Sequence, residues 1–220
     1  MSIKSAIQKK INLKFKFLDQ NLKKGGTFTL LDVGAGNHSA SRTTKVFPNC
    51  NYYGLDLNKE YSNSESDFKT MKGFFELDLT KLDYSIIPDN YFDAMLIVHV
   101  IEHIYNGDKV LPLLLTKLKS GGHLYIEYPG IKSTKLPSMY GTLNFNDDPT
   151  HVRLYSINEL KRIFEENNCS ISKSGTRRNY YYIIAMPFRI IHSLIKTGKL
   201  QGNLFWDMLG FAEFLQIRKN

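Results

Sequence analysis

The chain has 220 residues, of which 42% are hydrophobic and 23% charged. This is enough apolar material for one α/β domain with its own core. No stretch of about 18 uncharged apolar residues occurs, so we expect no membrane span. The N-terminus lacks the apolar segment of a signal peptide. The two cysteines, Cys50 and Cys169, are far apart, which argues against a disulfide framework or a cysteine metal site and is typical of a cytoplasmic protein.

The positive charge is concentrated at the two ends of the chain. The formal net charge is +8, and residues 1–24 hold seven lysines against one aspartate. Residues 173–220 hold eight basic residues against two acidic ones, so residues 25–172 carry a net charge of −4. Such basic ends are either simply solvated or attract an anionic substrate, for example a phosphate or a nucleotide-linked sugar.

The N-terminal residues have the spacing of an amphipathic helix. Apolar side chains recur on one helical face of residues 3–23, between lysines, at Ile7, Ile11, Phe15, Leu18 and Leu22. The glycine pair at 25–26 ends this pattern. We therefore expect residues 1–24 to form a helical segment that packs on the edge of a domain formed by residues 25–220.

Strands and helices alternate along the rest of the chain. The pattern predicts strands at 27–33, 51–57, 74–77, 92–98 and 123–128, and a closing pair at 169–176 and 211–218. It predicts helices at 39–46, 105–119, 156–167 and 187–197, with Gly121 and Gly122 ending the second. The alternation indicates a single Rossmann-like α/β domain: a mainly parallel seven-stranded sheet with an antiparallel last strand and helices on both faces. We also expect a long irregular loop at 131–150 and a helical insert at about 180–205.

Residues 30–36 form the most informative segment, an apolar strand that runs into a turn containing Gly34 and Gly36. Glycine allows a sharp bend and the close approach of a ligand to the main chain. At the carboxyl end of a buried parallel strand, such a turn makes room for a nucleotide-like cofactor. A dinucleotide fingerprint needs a third small residue at position 39. Ser39 stands there after two bulky residues, which disfavours a pyrophosphate cradle.

Five short motifs follow one another between about residues 27 and 166. They are Leu31-Asp32-Val33-Gly34-Ala35-Gly36, Tyr53-Gly54-Leu55-Asp56, Leu77-Asp78-Leu79, Phe92-Asp93-Ala94 leading into Val100-Ile101-Glu102-His103, and Leu118-Lys119-Ser120-Gly121-Gly122-His123-Leu124. Each motif alone is weak. In this order and spacing, the five together resemble the class I S-adenosylmethionine (SAM)-dependent methyltransferases, in the small-molecule O-methyltransferase branch.

The resemblance implies roles for the residues that would contact the cofactor. Gly34 and Gly36 would let the turn pass under the methionine and ribose parts, and Asp32 would orient that turn and meet the methionine ammonium. Asp56 has two acceptor oxygens for the two ribose hydroxyls. Asp78 would meet the adenine amino group or, alternatively, only cap a turn. Further cofactor-binding candidates are Leu79, against the adenine ring, and His99.

Residues 99–103 read His-Val-Ile-Glu-His, which would place three polar side chains on one side of a helical turn. Inverzincin proteases share this spacing, but their residues lie in a long helix, whereas these follow a strand. Some class I enzymes, among them quinone-biosynthesis O-methyltransferases and small-RNA 3′-terminal 2′-O-methyltransferases, carry Glu-x-x-Glu-His here and bind a divalent metal. By this resemblance the metal ligands would be His99, Glu102, His103 and His151. Three imidazoles favour Mn, Fe, Co, Ni or Zn over Mg.

The predicted function is transfer of the SAM methyl group to an oxygen of a small molecule. A sugar, or a phosphorylated or nucleotide-linked precursor of surface glycan, is the preferred acceptor. Without a metal, His151 or His103 would act as the general base. The alternative is a metal-dependent RNA 2′-O-methyltransferase, although no RNA-binding module is evident. A non-catalytic SAM-binding module is a third interpretation, and the oligomeric state stays open.

Overall fold

The computed structural model of the chain describes residues 3–23, 25–59 and 63–220. Within these residues, seven strands form one sheet in the order β3-β2-β1-β4-β5-β7-β6. The strands are β1 (Phe28–Val33), β2 (Cys50–Asp56), β3 (Gly73–Glu76), β4 (Phe92–Val98), β5 (Leu118–Pro129), β6 (Cys169–Thr176) and β7 (Ala212–Lys219).

The helices connect the strands and flank the sheet. They are α1 (Ile3–Ile11), α2 (Leu13–Asn21), α3 (Ser39–Val46), α4 (Glu65–Phe68), α5 (Gly107–Lys117), α6 (Ile157–Glu166), α7 (Tyr180–Ile184), α8 (Met186–Thr197) and α9 (Trp206–Leu209). Short 3-10 turns occur at Leu79–Lys81, Ile101–His103, Ile131–Lys135, Phe145–Asp147 and Gly202–Leu204. Among the described residues, no helix combines the length and the apolar character needed to cross a bilayer.

The predicted fold class is confirmed. β1 pairs in parallel with β2 on one side and with β4 on the other, and only β7 runs antiparallel to its neighbours among the described strands. The strands that directly follow β1 in the sequence, β2 and β3, lie on one side of it, and β4 lies on the other. The strand order therefore reverses between β1 and β4. In an open α/β sheet, ligands bind at the carboxyl ends of the strands at this switch point.

Apolar side chains of the central strands point to both faces of the sheet and fill two cores. Leu31 and Met95 belong to a core that is shared with α5 and α6. Leu30 and Ala94, their neighbours in the sequence, belong to a second core that is shared with α2 and α3. Because alternate residues of a strand face opposite sides, two covered faces require the continuous apolar runs seen in β1 and β4.

The N-terminal segment differs from the single helix predicted over residues 3–23. Asn12 separates α1 from α2, and its side-chain oxygen accepts hydrogen bonds from the amides of Lys14 and Phe15. Asn12 thus caps the N-terminus of α2, where backbone amides have no partner within the helix. Ile7, which was expected on the buried face, is exposed. Met1, Ser2 and Lys24 of the predicted segment lie outside the described residues.

Gly121 and Gly122 do not end the helix, as predicted from the sequence, but lie inside β5. The helix ends at Lys117 and the strand starts at the next residue. The pairing of β5 with β4 jumps from Leu118 to His123, so the glycines occupy a bulge in the strand. Gly121 has a φ of +75°, a conformation that glycine adopts without strain.

The helical insert predicted at about 180–205 consists of α7, α8 and the 3-10 turn at Gly202–Leu204. It follows β6, which runs parallel to the central strands, so the insert lies at the carboxyl edge of the sheet. The amide of Gly202 donates to the carbonyl of Tyr140 at 2.7 Å. The insert therefore packs on the irregular loop at 131–150.

Candidate active site

A cavity of about 550 Å³ opens at the carboxyl edge of the sheet, where β1 and β4 diverge. The residues that end β1, β2 and β4 and the segment after β3 contribute to it. Its lining includes most of the predicted cofactor residues: Gly34, Gly36, Asp56, Asp78, Leu79 and His99. A recess of about 750 Å³ lies between the N-terminal helices and the opposite edge of the sheet, near Gly25 and Pro48, away from all of these residues.

Gly34 makes the turn after β1 possible. Its φ is +76°, and a Cβ added at this position would overlap the Cγ2 atom of Val100. Its amide donates to the carbonyl of Leu55 at 2.8 Å, which ties the turn to the end of β2. Only glycine combines this conformation with this closeness to the segment after β4.

Asp32 is buried behind the turn and is not among the residues that line the cavity. Its Oδ2 atom accepts hydrogen bonds from the Ser39 hydroxyl at 2.5 Å and from the Tyr52 hydroxyl at 2.7 Å. Lys14 of α2 approaches the same oxygen at 3.9 Å. Asp32 therefore joins β1 to α2, α3 and β2, which is an orienting role. The predicted contact with a methionine ammonium, which the resemblance places through water or neighbouring amides, stays a prediction.

Two further carboxylates face the cavity. Asp56 ends β2 and accepts a hydrogen bond from the Leu57 amide at 2.7 Å, and burial raises its pKa. Asp78 accepts from the hydroxyl of Thr80 at 2.6 Å and from its amide at 2.9 Å. The hydroxyl bond lowers the pKa of Asp78. Asp78 is thus the cap of the following turn, as the alternative interpretation held, and it also lines the cavity.

His99 follows β4 with a φ of +54° and places both ring nitrogens against carboxylates. Nδ1 lies 3.2 Å from Oε1 of Glu102, and Nε2 lies 3.2 Å from Oε1 of Glu127. Burial alone would lower the pKa of His99, but these two hydrogen bonds outweigh it and raise the pKa to about 9. His99 is therefore an imidazolium at neutral pH, with both nitrogens acting as donors.

The buried charges behind His99 were not predicted from the sequence. Arg177 lies 3.4 Å from Glu127 and 3.2 Å from Asp207, and the Trp206 ring lies 4.8 Å from the His99 ring. Burial would raise the pKa of Glu127, but Arg177 and His99 hold it at about 2. One signal was available: Glu127 is a charged residue in an otherwise apolar part of β5. Nothing in the sequence places Arg177 and Asp207 next to it.

Three of the four predicted metal ligands come together and His99 does not join them. Glu102, His103 and His151 each offer a ligand atom, and these atoms lie within 4.8 Å of one another. His99 is excluded because both of its nitrogens already contact carboxylates, so the four-residue set has to be corrected to three. The amides of Val152 and Arg153 donate to the carbonyl of Glu102, which holds the distant His151 segment beside the turn after β4.

Hydrogen bonds to backbone carbonyls orient both histidines of this cluster. His151 Nδ1 lies 2.6 Å from the Phe145 carbonyl, and His103 Nδ1 lies 3.1 Å from the Thr150 carbonyl. A carbonyl can only accept, so Nδ1 donates in both rings, and in the neutral form of each ring Nε2 is the nitrogen with the lone pair. Glu102 is buried, and its Oε2 atom has no hydrogen-bond partner among the described residues. A buried carboxylate oxygen without a partner beside two lone-pair nitrogens is a donor set that fits a divalent transition metal.

Comparison with known proteins now decides the family. A family model described as a methyltransferase domain matches residues 4–174, which is more than half of the chain. The chain belongs to this methyltransferase family. A curated relative, the uncharacterized methyltransferase YcgJ of Bacillus subtilis, is 27% identical over 142 residues. That alignment covers 63% of this chain and 55% of YcgJ, so the chain matches little more than half the length of this relative.

Solved structures of SAM-dependent methyltransferases share the fold of this chain. A SAM-dependent methyltransferase from Archaeoglobus fulgidus superposes with a TM-score of 0.57 at 20% identity, over 100% of both chains. The phosphoethanolamine N-methyltransferase 2 of Haemonchus contortus, solved with S-adenosylhomocysteine, superposes with a TM-score of 0.67 at 15% identity. That match covers 94% of this chain and 52% of the other. The Bacillus subtilis YcgJ structure gives a TM-score of 0.56.

Proposed function

We propose that the cavity at the carboxyl edge binds S-adenosylmethionine. Its charge carries the proposal: the described lining includes two carboxylates, Asp56 and Asp78, and no lysine or arginine, and the charge of the His99 imidazolium in the same lining is balanced by Glu102 and Glu127. Such a lining repels the pyrophosphate of a redox dinucleotide and suits a positively charged sulfonium. A volume of about 550 Å³ accommodates one nucleoside-sized ligand. When bound, SAM supplies an electrophilic methyl group on its sulfur.

Different residues of the cavity would contact different parts of SAM. Gly34 allows the sharp turn of the main chain after β1, because its positive φ and its closeness to Val100 leave no room for a side chain of its own. The Asp56 carboxylate accepts hydrogen bonds from the two ribose hydroxyls. Asp78 and Leu79 lie where the adenine amino group and ring would be held. The His99 imidazolium, held by Glu102 and Glu127, fixes the wall between this cavity and the helical insert.

The proposed acceptor is an oxygen, activated by the cluster of Glu102, His103 and His151. A hydroxyl is a poor nucleophile until a base or a metal takes its proton. His103 lines the cavity, and Nε2 of the neutral His103 or His151 ring is the nitrogen that would accept the proton. A divalent metal, if bound, would be held by these three residues and would lower the pKa of a coordinated hydroxyl.

A sugar, or a phosphorylated or nucleotide-linked precursor of surface glycan, is the preferred acceptor. The excess of basic residues at both ends of the chain supports an anionic molecule. The same basic ends and the same cluster also support the second candidate, RNA 2′-O-methylation. Salt-dependent binding of RNA at micromolar concentration would favour that candidate, and no binding at low salt would remove it.

Metal titration tests the cluster whatever the identity of the acceptor. We expect Mn²⁺ or Zn²⁺ to bind the purified protein at one site, and Glu102→Gln and His151→Ala each to weaken binding at least about tenfold. S-adenosylhomocysteine affinity should stay within about twofold, since neither residue is placed against the cofactor. The exposed His192→Ala is the matched control and should bind metal as the wild type does.

Turnover of SAM with sugar, nucleotide-sugar and RNA acceptors tests the reaction itself. His151→Ala should abolish turnover and leave cofactor affinity nearly unchanged. A normal rate in His151→Ala would show that the reactive side of the cavity is elsewhere. If protein prepared without chelators contains no metal and chelation leaves turnover unchanged, the cluster does not use a metal, and a histidine acts as the general base instead.

A further inference from the structure

Helices α7 and α8 turn an apolar face outward. Ile184 and Phe188 are each 77% exposed, Ile191 is 55% exposed and Ile195 is 81% exposed. Their spacing of four, three and four residues places them on one side of a helical path. Tyr180, Tyr181 and Leu194 extend the exposed surface. We call this surface the apolar stripe. A contiguous apolar patch of this kind on a protein surface marks a contact with something else.

The opposite side of α8 is less exposed and mixes polar side chains with the half-buried Met186 and Ile190. Ser193 is buried, and its hydroxyl donates to the carbonyl of Lys199 at 2.9 Å. The Arg189 guanidinium lies over the Tyr182 ring, 4.7 Å from its centre. A surface helix of a globular protein normally buries its apolar side. In α8 the strongly exposed Phe188, Ile191 and Ile195 outnumber the half-buried Met186 and Ile190, which points to an apolar environment outside the described residues.

The surroundings of the stripe are positively charged. Residues 180–206, which include both helices, contain three lysines and arginines and no aspartate or glutamate. A groove of about 420 Å³ beside Phe188 is lined by Arg189, His192 and Lys196, among others. The Lys196 side chain forms no hydrogen bond or ion pair with any residue that the structure describes. Cations beside an exposed apolar face provide partners for negatively charged groups.

We propose that the apolar stripe binds the surface of a membrane that contains anionic lipids. Ile184, Phe188, Ile191 and Ile195 enter the boundary between headgroups and acyl chains, while Lys196 meets lipid phosphates. Amphipathic helices that lie in a bilayer interface have this composition, with aromatic and branched apolar residues on one face and lysine or arginine beside them. The two exposed tyrosines suit the headgroup level.

The charge distribution favours a lipid surface over a second copy of the chain. A symmetric dimer would place the same surface of both copies face to face. The cations around one stripe would then meet the cations around the other, because residues 180–206 contain no acidic side chain to pair with them. Anionic headgroups neutralise these charges, and another copy does not.

The location of the stripe links membrane binding to the active site. The helical insert lies at the carboxyl edge of the sheet and packs on the loop at 131–150, through the bond from Gly202 to Tyr140. A bound enzyme would hold this loop close to the lipid surface, within reach of an acceptor carried by the membrane. This consequence rests on the proposed function, whereas lipid binding itself does not.

Sedimentation of the full chain with lipid vesicles tests the proposal. At low salt we expect at least about tenfold stronger binding to vesicles with about one third phosphatidylglycerol than to pure phosphatidylcholine, and weaker binding as salt increases. The double variant Phe188→Asp, Ile195→Asp should lose at least about tenfold of this binding. Lys196→Gln should lose several-fold. Ile86→Asp is a matched change at an exposed isoleucine in the segment before β4. This variant should bind as the wild type does.

Folding and the active site are checked separately in each variant. Circular dichroism and S-adenosylhomocysteine affinity should not change, so loss of lipid binding cannot be mistaken for unfolding or for failure of the cofactor site. Absence of binding to anionic vesicles at low salt would overturn the proposal, as would full binding by the double variant. A wild-type dimer that the double variant splits, together with no vesicle binding, would assign the stripe to self-association.

Discussion

At the residue scale, Gly34 is the residue whose backbone conformation allows the turn that borders the cavity. Gly34→Ala should destabilise the protein by about 2 kcal/mol or more, because the new methyl group overlaps Val100 and the positive φ strains any side chain. S-adenosylhomocysteine affinity should fall with it. Chemical denaturation and calorimetry measure the two effects.

The second variant Val100→Ala separates the two causes of this loss. In the Gly34→Ala background it removes the overlapping atom, so part of the stability should return. The cost of the left-handed conformation, about 1 kcal/mol, should remain. Wild-type stability in Gly34→Ala alone would show that the turn differs from the one described.

His99 predicts a specific dependence of stability on pH. Its folded pKa of about 9 lies above its ordinary value of 6.5, so its contribution is fully present below about pH 6.5 and is lost as the pH rises through about 9. The free energy of unfolding should therefore decrease over this interval, on the order of 2 kcal/mol. His99→Asn should remove most of this slope, and a slope that is identical in both proteins would contradict the assigned ion pairs.

Some site residues follow from the sequence and others do not, for a physical reason. Gly34, Asp56 and Asp78 lie at or just after the ends of predicted strands. Because the carboxyl ends of parallel strands meet at one edge of the sheet, the sequence predicts that these three residues lie close together. The His99–Glu127 pair joins residues 28 positions apart, and its Arg177 partner comes from beyond β6. Which nitrogen meets which carboxylate depends on side-chain packing that strand order does not determine. For this reason the four-ligand metal set included a histidine that the structure places in an ion-pair network.

At the element scale, Asn12 explains why the N-terminal segment is two helices. Apolar periodicity continues through this position, so the pattern alone predicts one helix. Asn12→Ala should cost about 1 kcal/mol of stability, since two amides at the start of α2 lose their acceptor. Asn12→Asp retains an acceptor oxygen and should stay close to the wild type. Equal stability of all three proteins in thermal unfolding would contradict the cap.

The bulge in β5 shows a limit of local rules at the same scale. A glycine pair after a helical pattern is the usual signal for a helix end. Here α5 ends four residues before Gly121, and the glycines lie in a bulge between Leu118 and His123, the residues of β5 that pair with β4. The strand and helix types along the chain were predictable, and the boundaries were decided by tertiary pairing.

At the scale of the whole molecule, alternation of strands and helices was sufficient to predict the sheet and its antiparallel last strand. The outward face of α8 was not predictable in this way. Periodicity shows that a helix has an apolar side but not whether protein or something else covers it. Ser193 and Arg189 contact other residues of the insert, the Lys199 carbonyl and the Tyr182 ring. These contacts identify the inner side of α8, and the proposal of membrane contact depends on them.

The central claim is that the carboxyl-edge cavity takes a sulfonium nucleoside and not a dinucleotide. Isothermal titration with S-adenosylhomocysteine and with NAD tests it most directly. We predict one site for S-adenosylhomocysteine, no measurable heat with NAD, and roughly tenfold weaker binding in Asp56→Asn, which loses charge-assisted hydrogen bonds to the ribose. Tight binding of NAD with no binding of S-adenosylhomocysteine would contradict the account.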